Sequence, residues 1–394
     1  MLRGKNAGKA VVNIGILLFA ALYISYLLNV YEERQIGTGK IQFLIIAVSM
    51  ITFVFYCKID QMVLLTFGLS LSMFVAVALT PTGVASIARL FSKIFLWFFV
   101  FILGYNTKIS TSKGFGSKNI LYITFIIVCF NFFENSFSDF SNTKKNLVQT
   151  SIYYVICFLP MVLCIQNKKL KVFAFAMVCL FTVLSLKRSA ILVVAAVCLG
   201  LGVMHRKQLH WDRILKTILG GGVIAILILL VYSKIKNVDF SSFFDVLNAW
   251  EVRFHSESSR DSLFMSTLNM QLESDLFSWI FGHGYDAVRL SSPYQLSSHC
   301  DYIEILYNYG LVSFVLFIIY ISWLLYRTVA FYKWNCPVKD GYLAGVVILV
   351  ISCIPSHLFT YSTYFLMLAY FFGYSENLFL LYRNKHLNRR KKEV

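Results

Sequence analysis

The sequence predicts an all-α fold, a polytopic bundle of about a dozen transmembrane helices, and three observations carry that prediction. The chain of 394 residues is 58% hydrophobic and only 14% charged, with a mean hydropathy of +0.69. A soluble chain of this length carries about a quarter of its residues charged, so lipid is the solvent here. Apolar runs of about 17–22 residues recur along the sequence, the length that crosses a bilayer core as helix. The short alternating segments of a strand barrel are not found.

The expected spans fall near 10–30, 41–57, 62–80, 86–105, 119–133, 149–166, 172–187, 189–204, 217–233, 302–326, 341–356 and 361–381. Arg3, Lys5 and Lys9 precede an apolar run too long for a signal-peptide core, so it reads as an uncleaved first span. With a cytoplasmic N-terminus, the inside segments hold 23 of the 36 Lys and Arg residues. The formal charge of +17 is therefore a positive-inside signal with both termini cytoplasmic, and implies no nucleic-acid partner. The tail Arg389-Arg390-Lys391-Lys392 suits anionic headgroups.

Three blocks follow: spans one to nine over 1–233, a large outer loop over 234–300, and the last three spans with a basic tail over 301–394. The loop carries five fixed basic and eight acidic residues, so it is no simple cationic apron. Two amphipathic helices are expected in it. Asp239 to His255 places Phe240, Phe243, Phe244, Leu247, Trp250 and Phe254 at helical spacing. Ser258 to Glu273 opens on candidate caps Ser258-Ser259 and carries Phe264, Met265, Leu268 and Leu272 as its stripe, with Leu263 at the margin. Such helices lie flat on the membrane or cap the bundle.

Ser298 followed by Asp301 is a candidate capping pair for the tenth span, which puts His299 in its first turn. A helix N-terminus disfavours imidazolium, leaving a neutral His that accepts a proton from a hydroxyl or simply anchors at headgroup level. Lys187-Arg188 sits in a tight outer turn, against the charge bias. Arg188 either grips a phosphate with both prongs of its guanidinium or snorkels to lipid phosphates. Arg260 and Arg253 either reach an anionic ligand or pair with Glu257 or Asp261. Arg89 and Lys93, four apart, form a cationic stripe or snorkel at the interface. Trp250, Trp279, Tyr285 and Tyr294 could stack on sugars or pack. The loop has no H-E-x-x-H and no His/Cys set at ligand spacing, so a catalytic metal is not expected. Gly220-Gly221-Gly222 lacks a following G-K-[ST] and reads as a helix-packing site, not a P-loop.

Several pieces occur in a familiar order: Ser185-Leu186-Lys187-Arg188-Ser189-Ala190, then Ser258-Ser259-Arg260, then Phe281-Gly282-His283-Gly284-Tyr285, then the His299 block. In that block His299 and Cys300 precede nine further residues and Gly310, which looks like the ligase-type pattern His-[Asn/Ser/Gln]-x9-Gly with Cys300 at the second place. Together they resemble the bacterial O-antigen polymerase and O-antigen ligase superfamily. The resemblance implies an inner-membrane glycosyltransferase, without cofactor or metal, using undecaprenyl-pyrophosphate-linked oligosaccharide at the periplasmic face. A polymerase is the favoured expectation, moving the growing glycan onto a new lipid-linked repeat unit, and a chain-length regulator is an expected partner. By the same likeness His299, Arg188 and Arg260 are catalytic, the first acting on the acceptor hydroxyl and the arginines on the pyrophosphate. Arg253, Arg89, Lys187 and Asp301 are the expected substrate-binding residues. The rivals are a ligase acting on lipid A core and, in another class, a lipid-linked oligosaccharide flippase or transporter. A flippase keeps its outer loops short and its charges along a central cavity, unlike this pattern.

Overall fold

The structure, a computed structural model, describes residues 2–32, 38–80, 87–107, 117–141, 149–205, 260–360 and 362–393. The expected ninth span, Gly220–Gly222, the Asp239–His255 helix with Trp250, and Arg253 lie outside the described residues.

Among the described residues the secondary structure is helical throughout. The helices are α1 Leu2–Glu32, α2 Thr38–Tyr56, α3 Gln61–Leu79, α4 Ile87–Asn106, α5 Ser117–Ser141, α6 Ile152–Ile156, α7 Leu159–Leu163, α8 Lys168–Leu184 and α9 Arg188–Met204. After the gap follow α10 Arg260–Leu272, α11 Leu276–Phe281, α12 Ala287–Ser291, α13 Asp301–Lys333, α14 Lys339–Ser352 and α15 Ser362–Glu393. Five are long and apolar enough to cross a membrane: α2, α3, α4, α13 and the Thr363–Asn384 stretch of α15. Shorter apolar stretches lie at Ala10–Tyr26, Asn119–Phe133, Ile152–Leu163 and Arg188–Met204.

α4 is the hub. Ile94 to Tyr105 is buried without a break, because α1, α2, α3 and α15 pack around it. Its tightest partner is α15, where Gly104 faces the backbone of Tyr370 and Gly373 faces the backbone of Phe101. A Cβ at either glycine would strike main chain, so the two helices cross at backbone contact, a packing typical of membrane helices. Aromatic rings fill much of the remaining core, including Trp97 against Phe359 at 5.4 Å and Phe317 against Phe359 at 4.7 Å. On α2 the outward face stays apolar, with Val54 and Phe55 about 70% exposed. That surface requires an apolar surrounding.

Three local expectations are corrected. The single span near 149–166 is two short helices, α6 and α7, separated at Cys157-Phe158 and followed by Pro160 near the start of α7, where a missing N–H is tolerated. The described part of the loop helix runs over Arg260–Leu272, with the candidate caps Ser258-Ser259 outside the described residues, and its buried residues are Leu263, Thr267 and Gln271. Phe264, Met265 and Leu272 are exposed instead. Residues spaced three and four apart from Arg260 form the row that meets α13, so the apolar stripe is turned outward. The third correction concerns His299 itself.

Candidate active site

α13 starts at Asp301, with Cys300 as its N-cap and no side-chain cap. His299 therefore lies before the helix, at φ 58°, a left-handed conformation uncommon for a residue with a side chain. The Ser298/Asp301 capping pair does not form, because other partners claim both residues. Ser298 N–H donates to Glu304 Oε1 at 2.9 Å, and its hydroxyl donates to the Cys300 carbonyl at 3.1 Å. The Asp301 carboxylate accepts the amides of Phe359 and Thr360, both at 2.8 Å, together with the Thr360 hydroxyl.

Those bonds fasten the strap between α14 and α15 over the start of α13. Asp301 N–H donates to Cys353 O at 2.9 Å, and Thr360 Oγ1 also reaches Glu304 Oε2 at 3.1 Å. Asp301 is fully buried and both its oxygens are engaged, so it holds the strap. Glu304 Oε2 lies 3.1 Å from Nδ1 of His357, a carboxylate–imidazole pair that orients the ring and leaves Nε2 for other partners. The His357 ring packs on that of His299, centroids 4.5 Å apart and tilted by 40°.

The two imidazoles are tuned in opposite directions. Burial, the neighbouring His357, and the charges of Arg260 and Lys187 together push the His299 pKa down to about 4, with Glu304 opposing. His299 is thus neutral at pH 7, through desolvation and cations and not through a helix end. For His357, burial works against the imidazolium, but the hydrogen bond and charge of Glu304 outweigh it and the pKa rises.

The cations arrive from two elements. α8 ends in a tight turn through Leu186, at φ 51°, into Lys187, the N-cap of α9. That turn keeps Lys187 buried, its Nζ 5.9 Å from the centre of the Tyr153 ring, and opens α9 on the half-buried Arg188. Ser189 Oγ lies 2.9 Å from the Tyr153 hydroxyl, which also bonds Ser356 in the strap and lies within the field of Arg260. Arg260 enters from the start of α10. Lys187, Arg260, His299, His357 and Glu304 therefore act on one another, with Arg188 in the adjoining first turn of α9. Arg89 is exposed on the first turn of α4, and Lys93, one turn on, lies over the Tyr285 ring at 4.8 Å.

Sequence reasoning did not single out His357, Tyr153 or the role of Glu304. His357 had a legible signal: an ionisable ring in a short connection between apolar runs, Ser356-His357-Leu358 after Pro355. Asp301, Glu304 and His357 are also the one group of donor atoms close enough for a metal among the described residues, within 4.8 Å of one another. Asp301 and Glu304 already accept from donors of the chain itself, and Nδ1 of His357 is engaged with the Glu304 carboxylate.

Phe281-Gly282-His283-Gly284-Tyr285 locks onto the break in α13. Gly310 has φ 75° and ψ 178°, and Gly282 φ 78° and ψ −174°, a region open essentially to glycine alone. There His283 and Gly284 N–H donate to the carbonyls of Tyr307 and Asn308 at 2.9 Å, and the His283 ring stacks on Tyr307 at 4.0 Å. The spacing from His299 to Gly310 is thus the length of the helical stem that carries the strap contacts before the chain must bend.

Fold and site define a helical membrane protein with a paired-imidazole, cation-rich site at one end of its bundle. Residues 173–318, a little over a third of the chain, match the family model described as O-antigen ligase, and so the O-antigen polymerase and ligase superfamily that the motifs resemble. The match runs from α8 through the first half of α13 and contains Lys187, Arg188, Arg260, His299 and Gly310. No curated protein matches the chain.

Proposed function

We propose that this protein is a glycosyltransferase of surface-polysaccharide synthesis, a polymerase that moves a growing glycan from undecaprenyl pyrophosphate onto a new lipid-linked repeat unit. The observation that carries the reading is a neutral His299 held beside His357 within the field of Lys187 and Arg260. The acceptor hydroxyl attacks the anomeric carbon of the donor as the bond from that carbon to pyrophosphate breaks. The hydroxyl proton passes to His299, and the departing pyrophosphate carries its charge to Arg188, Arg260 and Lys187. A pyrophosphate between those cations offsets the charge that depresses His299. The imidazole therefore becomes a better base only when donor is bound.

The reaction proceeds without a metal in this reading, since guanidinium groups supply the charge stabilisation. The site faces the periplasm and both termini the cytoplasm, in accord with the Lys/Arg distribution. Arg89 and Arg253 are proposed to guide the anionic donor, and a chain-length regulator to act as partner.

The test is a lipopolysaccharide banding gel from a deletion strain complemented with wild type, His299→Ala or Arg188→Ala, each checked for membrane insertion. Loss of the long-chain ladder with retention of single-repeat caps is the expected outcome, and a full ladder from inserted variants removes these residues from the mechanism. Loss of all caps from the deletion strain would identify a ligase instead.

A further inference from the structure

α11 reads Leu276-Phe277-Ser278-Trp279-Ile280-Phe281, apolar at every position but one, yet none of its residues is buried. Leu276 is 77% exposed and Phe277 52%, and Leu272 at the end of α10 is exposed with them. Large apolar side chains left open together mark a surface that has a partner. The polar groups stand at the start of the helix. Asp275 caps it, its carboxylate accepting the Ser278 N–H at 2.8 Å, and Glu273 beside it is exposed.

The position of α11 decides what that partner is. Its far end is locked to the break in α13, where Gly310 faces the Ile280 carbonyl and the Gly282 nitrogen. Past the break α13 turns one stripe outward, with Leu311, Val312, Val315, Ile318 and Ile319 all exposed at helical spacing. From Leu311 to Lys333 it has roughly the 20 residues that cross a bilayer core, and no charge falls between Glu304 and Arg327. Before the break the helix is covered, Tyr307 under the His283 ring and Asn308 bonded by Gly284 N–H. The break therefore falls at one edge of the hydrocarbon. α11 lies at that level against α13 and α3, and α3 leaves Val75 and Leu79 exposed as well.

We propose that α11 is an interfacial anchor, with Leu276, Phe277 and Leu272 dipping into the acyl chains of the leaflet on the site's side. Asp275 and Glu273 stay in the headgroup layer. The occupant is lipid and not a second protein, because this face continues the outward stripe of α13 and neither carries a charge. Trp279, half-buried at the same level, has the amphipathic ring common at a membrane edge. The anchor holds the Gly282–Gly310 joint at a fixed depth, so the stem Asp301–Tyr309 and its strap stand outside the hydrocarbon. None of this depends on glycosyl transfer.

A fluorine probe reads the depth. Trifluoromethylphenylalanine is placed at position 277 of the full chain, one probe per molecule, and the protein is put in nanodiscs. A second chain carries the probe at position 315 on the α13 stripe, where broadening by lipid alone certifies insertion. At position 277 a nitroxide on the acyl chain should broaden the signal at least about threefold more than a gadolinium chelate in water. Leu276→Glu should reverse that preference, since a carboxylate draws the helix out of the hydrocarbon, and should leave position 315 unchanged. A signal at 277 that answers chiefly to the chelate overturns the anchor. A signal that neither agent touches overturns it too, because protein then covers the face.

Discussion

Buried charge gathers at both ends of α13, and the two ends are built differently. At the first end the carboxylates of Asp301 and Glu304 are covered by amides, a hydroxyl and an imidazole from a neighbouring connection. The imidazoles of His299 and His357 and the guanidinium groups of Arg188 and Arg260 stay half-buried, beside the buried Lys187. At the other end Arg327 meets Glu376 of α15 at 3.1 Å, with Tyr342 of α14 donating its hydroxyl to the same carboxylate at 2.8 Å. Arg327 is further enclosed by the rings of Trp323 and Phe379, and Glu376 is fully buried. The second cluster is sealed and joins three helices. Buried charge alone does not mark a reactive site; what distinguishes the first end is that its two imidazoles and its two arginines are only half-buried.

The difference can be broken by mutation. Removing the His299 imidazole should lower glycan transfer about 100- to 10,000-fold, the range for a general base, without lowering the thermal midpoint of the detergent-purified chain. His357→Ala should also lower transfer, and a His357→Gln variant that still bonds Glu304 should recover part of it if the ring only positions. Equal transfer by wild type and both variants would make the first end as inert as the second.

Glu376→Ala is the converse experiment. It strands Arg327 among aromatic rings and should cost about 3–5 kcal/mol of stability, seen as a lowered thermal midpoint, while the protein that remains folded keeps its transfer rate. Replacing both partners, as Arg327→Leu with Glu376→Leu, should restore much of the midpoint.

The all-helical class was legible in the sequence because lipid imposes long apolar runs, and five helices among the described residues are long and apolar enough to cross a membrane. Lys187, Arg188 and His299 stand out in the sequence as polar groups at the ends of such runs, and Arg260 as a cation of the large loop. What could not be read was how they meet. The His299 conformation is set by Asp301 and Glu304 bonding a segment more than fifty residues away, so a local capping rule gave the wrong helix start. The loop helix failed for a related reason. Its largest apolar residues suggested the buried face, but packing against the stem of α13 selected Leu263, Thr267 and Gln271.

The joint that supports the first end should be intermediate in effect. Gly310→Ala places a side chain in a glycine-only conformation and drives its Cβ into the backbone of Ile280. At least about 1–3 kcal/mol of destabilisation is expected. Transfer should fall more than stability, because Gly310 ends the stem that carries the strap. A midpoint unchanged within error would show that α13 bends without needing the glycine.

The smallest effect is also the most direct probe of the electrostatics. His299 has its pKa pushed down to about 4, first by burial and then by His357, Arg260 and Lys187. Because the folded value lies below the ordinary one, the imidazole stays neutral as pH falls from 7. Stability present above pH 6.5 is then lost as acid forces a proton onto the buried ring. Lys187→Met removes one of the cations, so the His299 pKa should move upward toward its ordinary value, and the acid limb of the transfer rate should move to higher pH with it. Burial and two other neighbours remain, so the displacement should be only part of the full depression. Adding inorganic pyrophosphate to wild type should move the His299 resonance in the same direction, by neutralising the same charges, and should do so less in Lys187→Met. If neither change alters the titration of His299, the cations do not share a field with the imidazole, and the two ends of α13 differ in enclosure but not in chemistry.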